Sequence, residues 1–197
     1  MIAANRVYPF SEGGAALSTP LPTGAVTLTD LTSCPRFGVK GSGSSAWLQA
    51  QGVSVPAINR IGMFRGVQVL RLGNEDFVLL AEQSGEGLRR LVEAWKADTG
   101  PRGYESWREE GWAWMRLSGP RLASVMAQLC AIDLRASKFA DDQIAQTRVG
   151  GIEAVLLRAD TAFDVLFDIT MASYFARVVS AAASHGKISA IHDQEQE

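Results

Sequence analysis

Residues 36–47 read RFGVKGSGSSAW: three glycines and a lysine among three serines, on the way from an apolar run into a short helical pattern. Glycine-rich turns with a lysine suit phosphate, because exposed backbone N–H groups and an ammonium can surround an anion. The order here fails that purpose. A P-loop needs Gly-Lys-Ser/Thr after an earlier glycine, whereas Lys40 precedes Gly41. A dinucleotide fingerprint needs G-x-G-x-x-G, whereas Gly38, Gly41 and Gly43 give G-x-x-G-x-G. The spacing predicts a structural joint. Gly41 turns the chain, Ser42 or Ser44 caps the helix, and the helix N-terminus keeps only the general capacity of such ends for an anion.

Other residues with reactive groups do not combine. Asp133, Asp141 and Asp142 could form an acid/base set, but neighbouring aspartates usually close turns or face water. His185 and His192 stand near the end of the chain without a third ligand nearby. Cys34 precedes Pro35, which favours extended backbone, and no histidine is close in sequence. Cys130, four residues after Met126, fits a packed helix face. No catalytic, cofactor-binding or metal residue is assigned.

The tryptophans carry more. In GWAWMRLSG, strand alternation puts Ala113, Met115 and Leu117 on one face and Trp112, Trp114 and Arg116 on the other. Trp107 lies just upstream. Such rings either pack inside the protein or form a partner interface, where Trp and Arg are enriched. Trp107, Trp112, Trp114 and Arg116 are the candidate interface residues, with at least one ring expected to contact another subunit.

Elements of ordinary globular composition must position these groups. The 197 residues are 47% hydrophobic and 20% charged, with net charge −2 and a pI near 5.8. That balance argues against nucleic acid and anionic membranes as partners. Two distant cysteines propose neither a disulfide framework nor a zinc site, and fit a reduced, cytoplasmic setting. The opening MIAANRVYPF lacks a basic start and apolar core, so no secretory signal is expected. No apolar run reaches membrane-spanning length.

The periodicities predict a strand over 37–41, a helix over 44–51 and a hairpin of strands 66–73 and 75–81 about Gly73-Asn74. A helix follows with Leu88, Leu91, Val92 and Trp95 on one face, capped by Ser84. Residues 99–111 read as loop. Then come a strand over 112–119, a helix opened by Pro120 that buries Leu122, Val125, Met126 and Leu129, two strands hinged at Gly150-Gly151, the strand FDVLFDI, and a helix with Tyr174, Phe175, Val178 and Ala182 on one face.

FGVKGSGSSAWLQ and MRLSGPRLASVMAQ share a pattern at an offset of about 80 residues. Each runs strand, glycine, polar turn, amphipathic helix, and is followed by strands and a second helix. The second joint, SGPRL, has one glycine and no phosphate spacing, which favours architecture over chemistry at Gly41. The expectation is an α+β fold of two pseudo-symmetric, ferredoxin-like split β-α-β halves. Residues 1–23 would be a flexible arm, 24–100 the first half, 101–186 the second and 187–197 a polar tail.

Several blocks carry a resemblance: DLTSCPRFGVKGSGSSAWL (30–48), RLGNEDFVLL (71–80), WAWMRLSGPRLASVMAQLCAIDL (112–134) and AQTRVGGIEAVLLR (145–158). Together they resemble the gamma subunit of bacterial heterotetrameric sarcosine oxidase, over roughly residues 26–185. The Ser-Gly-Pro joint, Cys-x-Ile-Asp-Leu and Ala-Gln-Thr-Arg are the most specific parts. The resemblance implies a fold similar to the folate-binding part of the glycine-cleavage aminomethyltransferase. It also implies a complex with alpha, beta and delta subunits that oxidises N-methylglycine to glycine and hands the one-carbon unit to tetrahydrofolate. FAD, FMN, NAD and the folate would belong to the other subunits, and this chain would be accessory rather than catalytic. The chain departs from aminomethyltransferases in two places. AINRIGMFRGVQVLRLG has no acidic residue, and SKFADDQIAQTR keeps Lys138 and Phe139 without a following Gly-Arg-Glu. A stand-alone folate-binding protein of that type is the alternative, and a homo-oligomeric scaffold a third.

Overall fold

The structure, a computed structural model, describes residues 9–10, 17–20, 26–82 and 85–192. In chain order the elements are β1 (Leu17–Pro20), β2 (Thr27–Asp30), β3 (Arg36–Lys40), α1 (Ser44–Ala50), β4 (Arg60–Phe64), β5 (Val67–Gly73) and β6 (Asp76–Leu80). There follow α2 (Glu86–Ala97), β7 (Tyr104–Glu105), α3 (Arg108–Gly111), β8 (Trp112–Ser118) and α4 (Leu122–Leu129). The chain closes with β9 (Ile144–Val149), β10 (Ile152–Ala159), β11 (Ala162–Asp168), a 3-10 turn over Ile169–Met171 and α5 (Ala172–His192).

Two compact units share these elements. Unit 1 takes Met1–Thr32, Ala113–Asp141 and Thr147–Glu197; unit 2 takes Ser33–Trp112 and Asp142–Gln146. The protein is α+β, with two antiparallel sheets.

Unit 2 carries the five-stranded sheet β4-β5-β6-β3-β7. Alternate residues of three strands share one face: Phe37 and Val39 of β3, Val67 and Val69 of β5, Phe77 and Leu79 of β6. Trp47 and Leu48 of α1 and Leu88, Leu91 and Trp95 of α2 complete the same cluster, so both helices cover one face. Trp95 meets Trp47 edge-on with centroids 4.9 Å apart and Phe37 at 5.9 Å. Rings in this arrangement gain from quadrupole contact as well as from area.

Unit 1 carries the six-stranded sheet β1-β2-β8-β11-β10-β9, apart from Trp112 of β8 and residues 144–146 of β9, which fall in unit 2. Here α4 buries Leu122, Val125, Met126 and Leu129, the spacing read from sequence. In α5 the buried positions among the described side chains are Ala172, Phe175, Val179, Ala182 and Ala183; Phe175 and Ala182 are those expected, whereas Tyr174 is exposed and Val178 only half-buried. Phe175 packs on Phe167 of β11 at 4.6 Å, which sets the helix's rotation.

In both units the chain runs strand, helix, three strands, helix, and the strand order matches: β4-β5-β6-β3 in one and β9-β10-β11-β8 in the other. That is not the β-α-β-β-α-β order of a ferredoxin-like split sheet. The expected first repeat lacked β4. Its sequence RIGMF shows no alternation, and in the structure none of its five residues is fully buried.

Other expectations change as well. Within the expected arm 1–23, Leu17–Pro20 is a strand paired antiparallel with β2, from Leu17 opposite Asp30 to Pro20 opposite Thr27. Ladder pairing needs no hydrophobic period, and an edge strand tolerates Pro20. The expected loop 99–111 contains β7 and α3. In the expected tail, α5 continues to His192, because Gly186 weakens a helix by only about 1 kcal/mol. Ser84, the expected cap of α2, lies outside the described residues, as do residues 193–197.

Candidate functional site

The glycine-rich joint is filled by the protein itself. Gly41 and Gly103 have φ of +95° and +83°. Residues 101–104 lie so close that a Cβ on Gly103 would stand 2.4 Å from the Lys40 carbonyl oxygen and 2.5 Å from Ser44 Oγ. The Tyr104 ring covers Gly41 at a distance that leaves no room for a side chain there. Neither Ser42 nor Ser44 caps α1: the N-cap is Gly43, and Ser44 Oγ donates back to the Gly41 carbonyl at 2.8 Å. The backbone N–H of Ser45, in the first turn, donates instead to the Glu75 carboxylate at 2.7 Å. Lys40 pairs with Asp76 at 2.9 Å. An internal carboxylate thus holds the position where an anion would bind.

The four candidate interface residues part company. Trp114 is fully buried in unit 1. Its indole N–H donates to Asp164 Oδ2 at 3.0 Å, and its backbone N–H donates to Thr32 Oγ1 at 3.1 Å. Arg116 donates to both oxygens of the same carboxylate, Nε at 2.6 Å and Nη2 at 2.8 Å. Asp164 is 1% exposed, so it is a desolvated carboxylate matched by three donors, the condition under which a buried charge is tolerated. The indole and the guanidinium that alternation put on one face share an internal acceptor.

Trp107 and Trp112 belong to unit 2. Trp112 is half-buried, with the Arg108 guanidinium 4.0 Å from its ring centroid. Trp107 is 68% exposed and has φ +52°. Tyr104, three residues earlier, is also exposed. This segment is held from beneath. The buried Arg36 donates to the carbonyls of Arg108 (3.1 Å), Glu109 (2.8 Å) and Trp112 (2.6 Å). Ser106 N–H donates to the Gly38 carbonyl at 3.0 Å, and a Cβ on Gly38 would collide with Ser106 and Arg108. Arg108 reaches both oxygens of Asp76 at 3.3 Å.

Sequence reading missed Arg36, Asp76 and Asp164 as organising groups. The signal for Asp164 was present: a carboxylate in the middle of the apolar run AFDVLF must find donors if the strand is buried. Arg36 gave none, since the carbonyls of Arg108, Glu109 and Trp112 that it holds lie some seventy residues away.

The three aspartates do not form a set; each goes to its own arginine. Arg135 hydrogen bonds hold Asp133 down from 3.8 to about 2. Asp141 stands 3.5 Å from Arg158, and Asp142 pairs with Arg60 at 2.8 Å. Cys130 is buried, and neither cysteine is in a disulfide. The side chains of His185 and His192 lie outside the description. Among the described residues no group of three His, Cys, Asp or Glu is placed to hold a metal ion, and no helix is long and apolar enough to cross a membrane.

Both units have open clefts among the described residues. In unit 1 a cleft of about 700 Å³ is lined by Leu122, Met126, Cys130, Ile132, Arg158 and Phe163. Arg158 is committed there to the carbonyls of Leu134 and Phe139 and lies over the Phe163 ring. In unit 2 a cleft of about 580 Å³ lies where the β4–β5 turn meets the start of α2, with Arg65, Gln68, Glu86 and Arg90 in its wall. Arg90 is paired with Glu86 at 2.6 Å.

Comparison with known proteins bears on the fold. No family model and no curated protein matches the sequence. Among solved structures, a chain of the heterotetrameric sarcosine oxidase from Corynebacterium sp. U-96, in complex with pyrrole 2-carboxylate, is similar with TM-score 0.66. Identity is 24%, and the match covers 81% of this chain and 84% of that one. The glycine cleavage system aminomethyltransferase T from Bartonella henselae is similar with TM-score 0.55 and 16% identity. That match covers 76% of this chain but 44% of the aminomethyltransferase. The chain therefore has the fold found in a sarcosine oxidase chain and in part of an aminomethyltransferase.

Proposed function

We propose that this chain is an accessory, gamma-like subunit of a flavin-dependent heterotetrameric sarcosine oxidase. In this reading the complex oxidatively demethylates N-methylglycine to glycine and passes the one-carbon unit to tetrahydrofolate. The observation that carries it is the extent of the structural match. It spans 81% of this chain and 84% of a chain from a heterotetrameric enzyme, but less than half of the aminomethyltransferase. A chain of that extent is the counterpart of one component of an assembly. The residue blocks at 30–48, 71–80, 112–134 and 145–158 support the same assignment.

The partners in this reading are the alpha, beta and delta subunits, which hold FAD, FMN, NAD and tetrahydrofolate. The role of this chain is to pack against the larger subunits and shape the passage of substrate or one-carbon product. Its two units are copies of one duplicated module, and the shared strand order supports that. The reading is tested by capturing the tagged full chain from its native source and following visible flavin absorbance in the captured fraction. Flavin and sarcosine-dependent activity are expected with the chain; capture of the chain without flavin overturns the reading.

A second reading, a stand-alone folate-binding protein, draws on the aminomethyltransferase match over 76% of the chain. Saturable quenching of tryptophan fluorescence by a reduced folate, measured on the purified chain, would favour it.

A further inference from the structure

Resting on the accessory-subunit reading, we infer that Trp107 is a pre-organised anchor that inserts into an apolar, basic-rimmed pocket on a protein partner. The first observation is its backbone. Trp107 has φ +52° and ψ +32°, a left-handed conformation that a bulky L-residue adopts only under constraint from its surroundings. The side chain it presents is the most water-exposed large apolar group among the described residues, at 68%. An isolated fold gains nothing by straining a residue in order to expose an indole.

The second observation is rigidity. The flanking residues are fixed by the Arg36 bonds to the carbonyls of Arg108, Glu109 and Trp112, by Ser106 on Gly38 and by Arg108 on Asp76. The Gly111 N–H donates to the Trp107 carbonyl at 3.0 Å. A side chain held ready in this way gives up little freedom when it docks.

The third observation is charge. The cations of this region are already engaged: Arg36 is buried, Arg108 is held by Asp76 under 16% side-chain exposure, Lys40, 45% exposed, pairs with the same Asp76 at 2.9 Å, and the Arg102 guanidinium lies 4.7 Å from the Trp95 centroid. Glu110 is exposed and Glu105 half-buried, and neither is matched by a lysine or arginine among the described residues. An apolar knob with acidic flanks calls for an apolar pocket with a basic rim.

The test uses capture of flavoprotein by the tagged full chain at two salt concentrations. Trp107→Ala is expected to lower captured flavin at least about ten-fold, as a central aromatic anchor does. The paired change Glu105→Gln and Glu110→Gln is expected to lower it less and to flatten its salt dependence. Trp107→Gly separates anchor from scaffold, because glycine accepts the left-handed backbone. Its Tm is expected to be no lower than that of the wild type while capture is lost. Undiminished capture by Trp107→Ala overturns the anchor and leaves the accessory-subunit reading standing. A lower Tm for Trp107→Gly with retained capture makes the residue structural and overturns it too. If wild-type chain captures no flavoprotein, the accessory-subunit reading fails and the anchor with it.

Discussion

Asp164 in unit 1 and Asp76 in unit 2 occupy comparable stations. Each lies on the last strand of a three-strand meander and holds a cation from the neighbouring strand that opens the module: Arg116 for Asp164, Lys40 for Asp76. Their surroundings differ. Asp164 is 1% exposed and takes Arg116 through both oxygens together with the Trp114 indole. Asp76 is partly open and divides itself between Lys40, whose side chain is 45% exposed, and Arg108. In one module the carboxylate closes an internal network. In the other it also holds Arg108 of a surface segment through both oxygens, and that segment presents Trp107. One topology can therefore hold a charge either for its own integrity or to present a side chain, according to how far water is excluded.

Breaking the closed network is expected to have the largest effect. Asp164→Ala leaves the Arg116 guanidinium and the Trp114 N–H without their buried acceptor, and is expected to cost about 3–5 kcal/mol in urea unfolding. Gly103→Ala drives a methyl group into the Lys40 carbonyl at a left-handed position. A loss of about 1–3 kcal/mol is expected from overpacking, and the crowding should move Tyr104 off Gly41. Asp76→Ala removes both the Lys40 pair and the more buried Arg108 pair, in which each side chain is 16% exposed, and is expected to cost about 1–2 kcal/mol, less at high salt. Its sharper signature is faster amide exchange across 106–112, a change Asp164→Ala should not reproduce selectively.

The smallest effect concerns acid. Asp133 titrates at about 2 in the folded chain against an ordinary 3.8. A depressed carboxylate contributes stability that is present above its unfolded pKa and is lost as pH falls through the folded one. The wild type should therefore lose this contribution between about pH 4 and pH 2. Asp133→Asn should show a flatter acid limb over that window in thermal melts and, lacking this contribution, a slightly lower Tm near neutral pH.

The sequence made the helix faces of α2 and α4 readable because their apolar residues keep a strict helical period over a buried stripe. The Gly73-Asn74 and Gly150-Gly151 hinges were readable from turn chemistry. β4 was hidden because RIGMF has no buried face to impose alternation, and β7 because two residues carry no period at all. Of the expected α5 face, Phe175 and Ala182 are buried, while Tyr174 is exposed and Val179 is buried deeper than Val178; Tyr174 and Phe175 are adjacent aromatics, and only contact with Phe167 decides which turns inward. At the candidate site, sequence singled out the tryptophans but not their fates. Alternation placed Trp114 opposite Met115 correctly, yet both faces of β8 are buried, so position on a strand gave no measure of exposure. Arg36 was illegible because its role is defined by carbonyls, which every residue has.

The most direct measurement is the native mass of the assembly that contains this chain, taken under non-denaturing conditions from its source. The accessory-subunit account expects four different chains in equal number, with flavin among the released small molecules. A mass that accounts for this chain alone, as monomer or as identical copies, would contradict it.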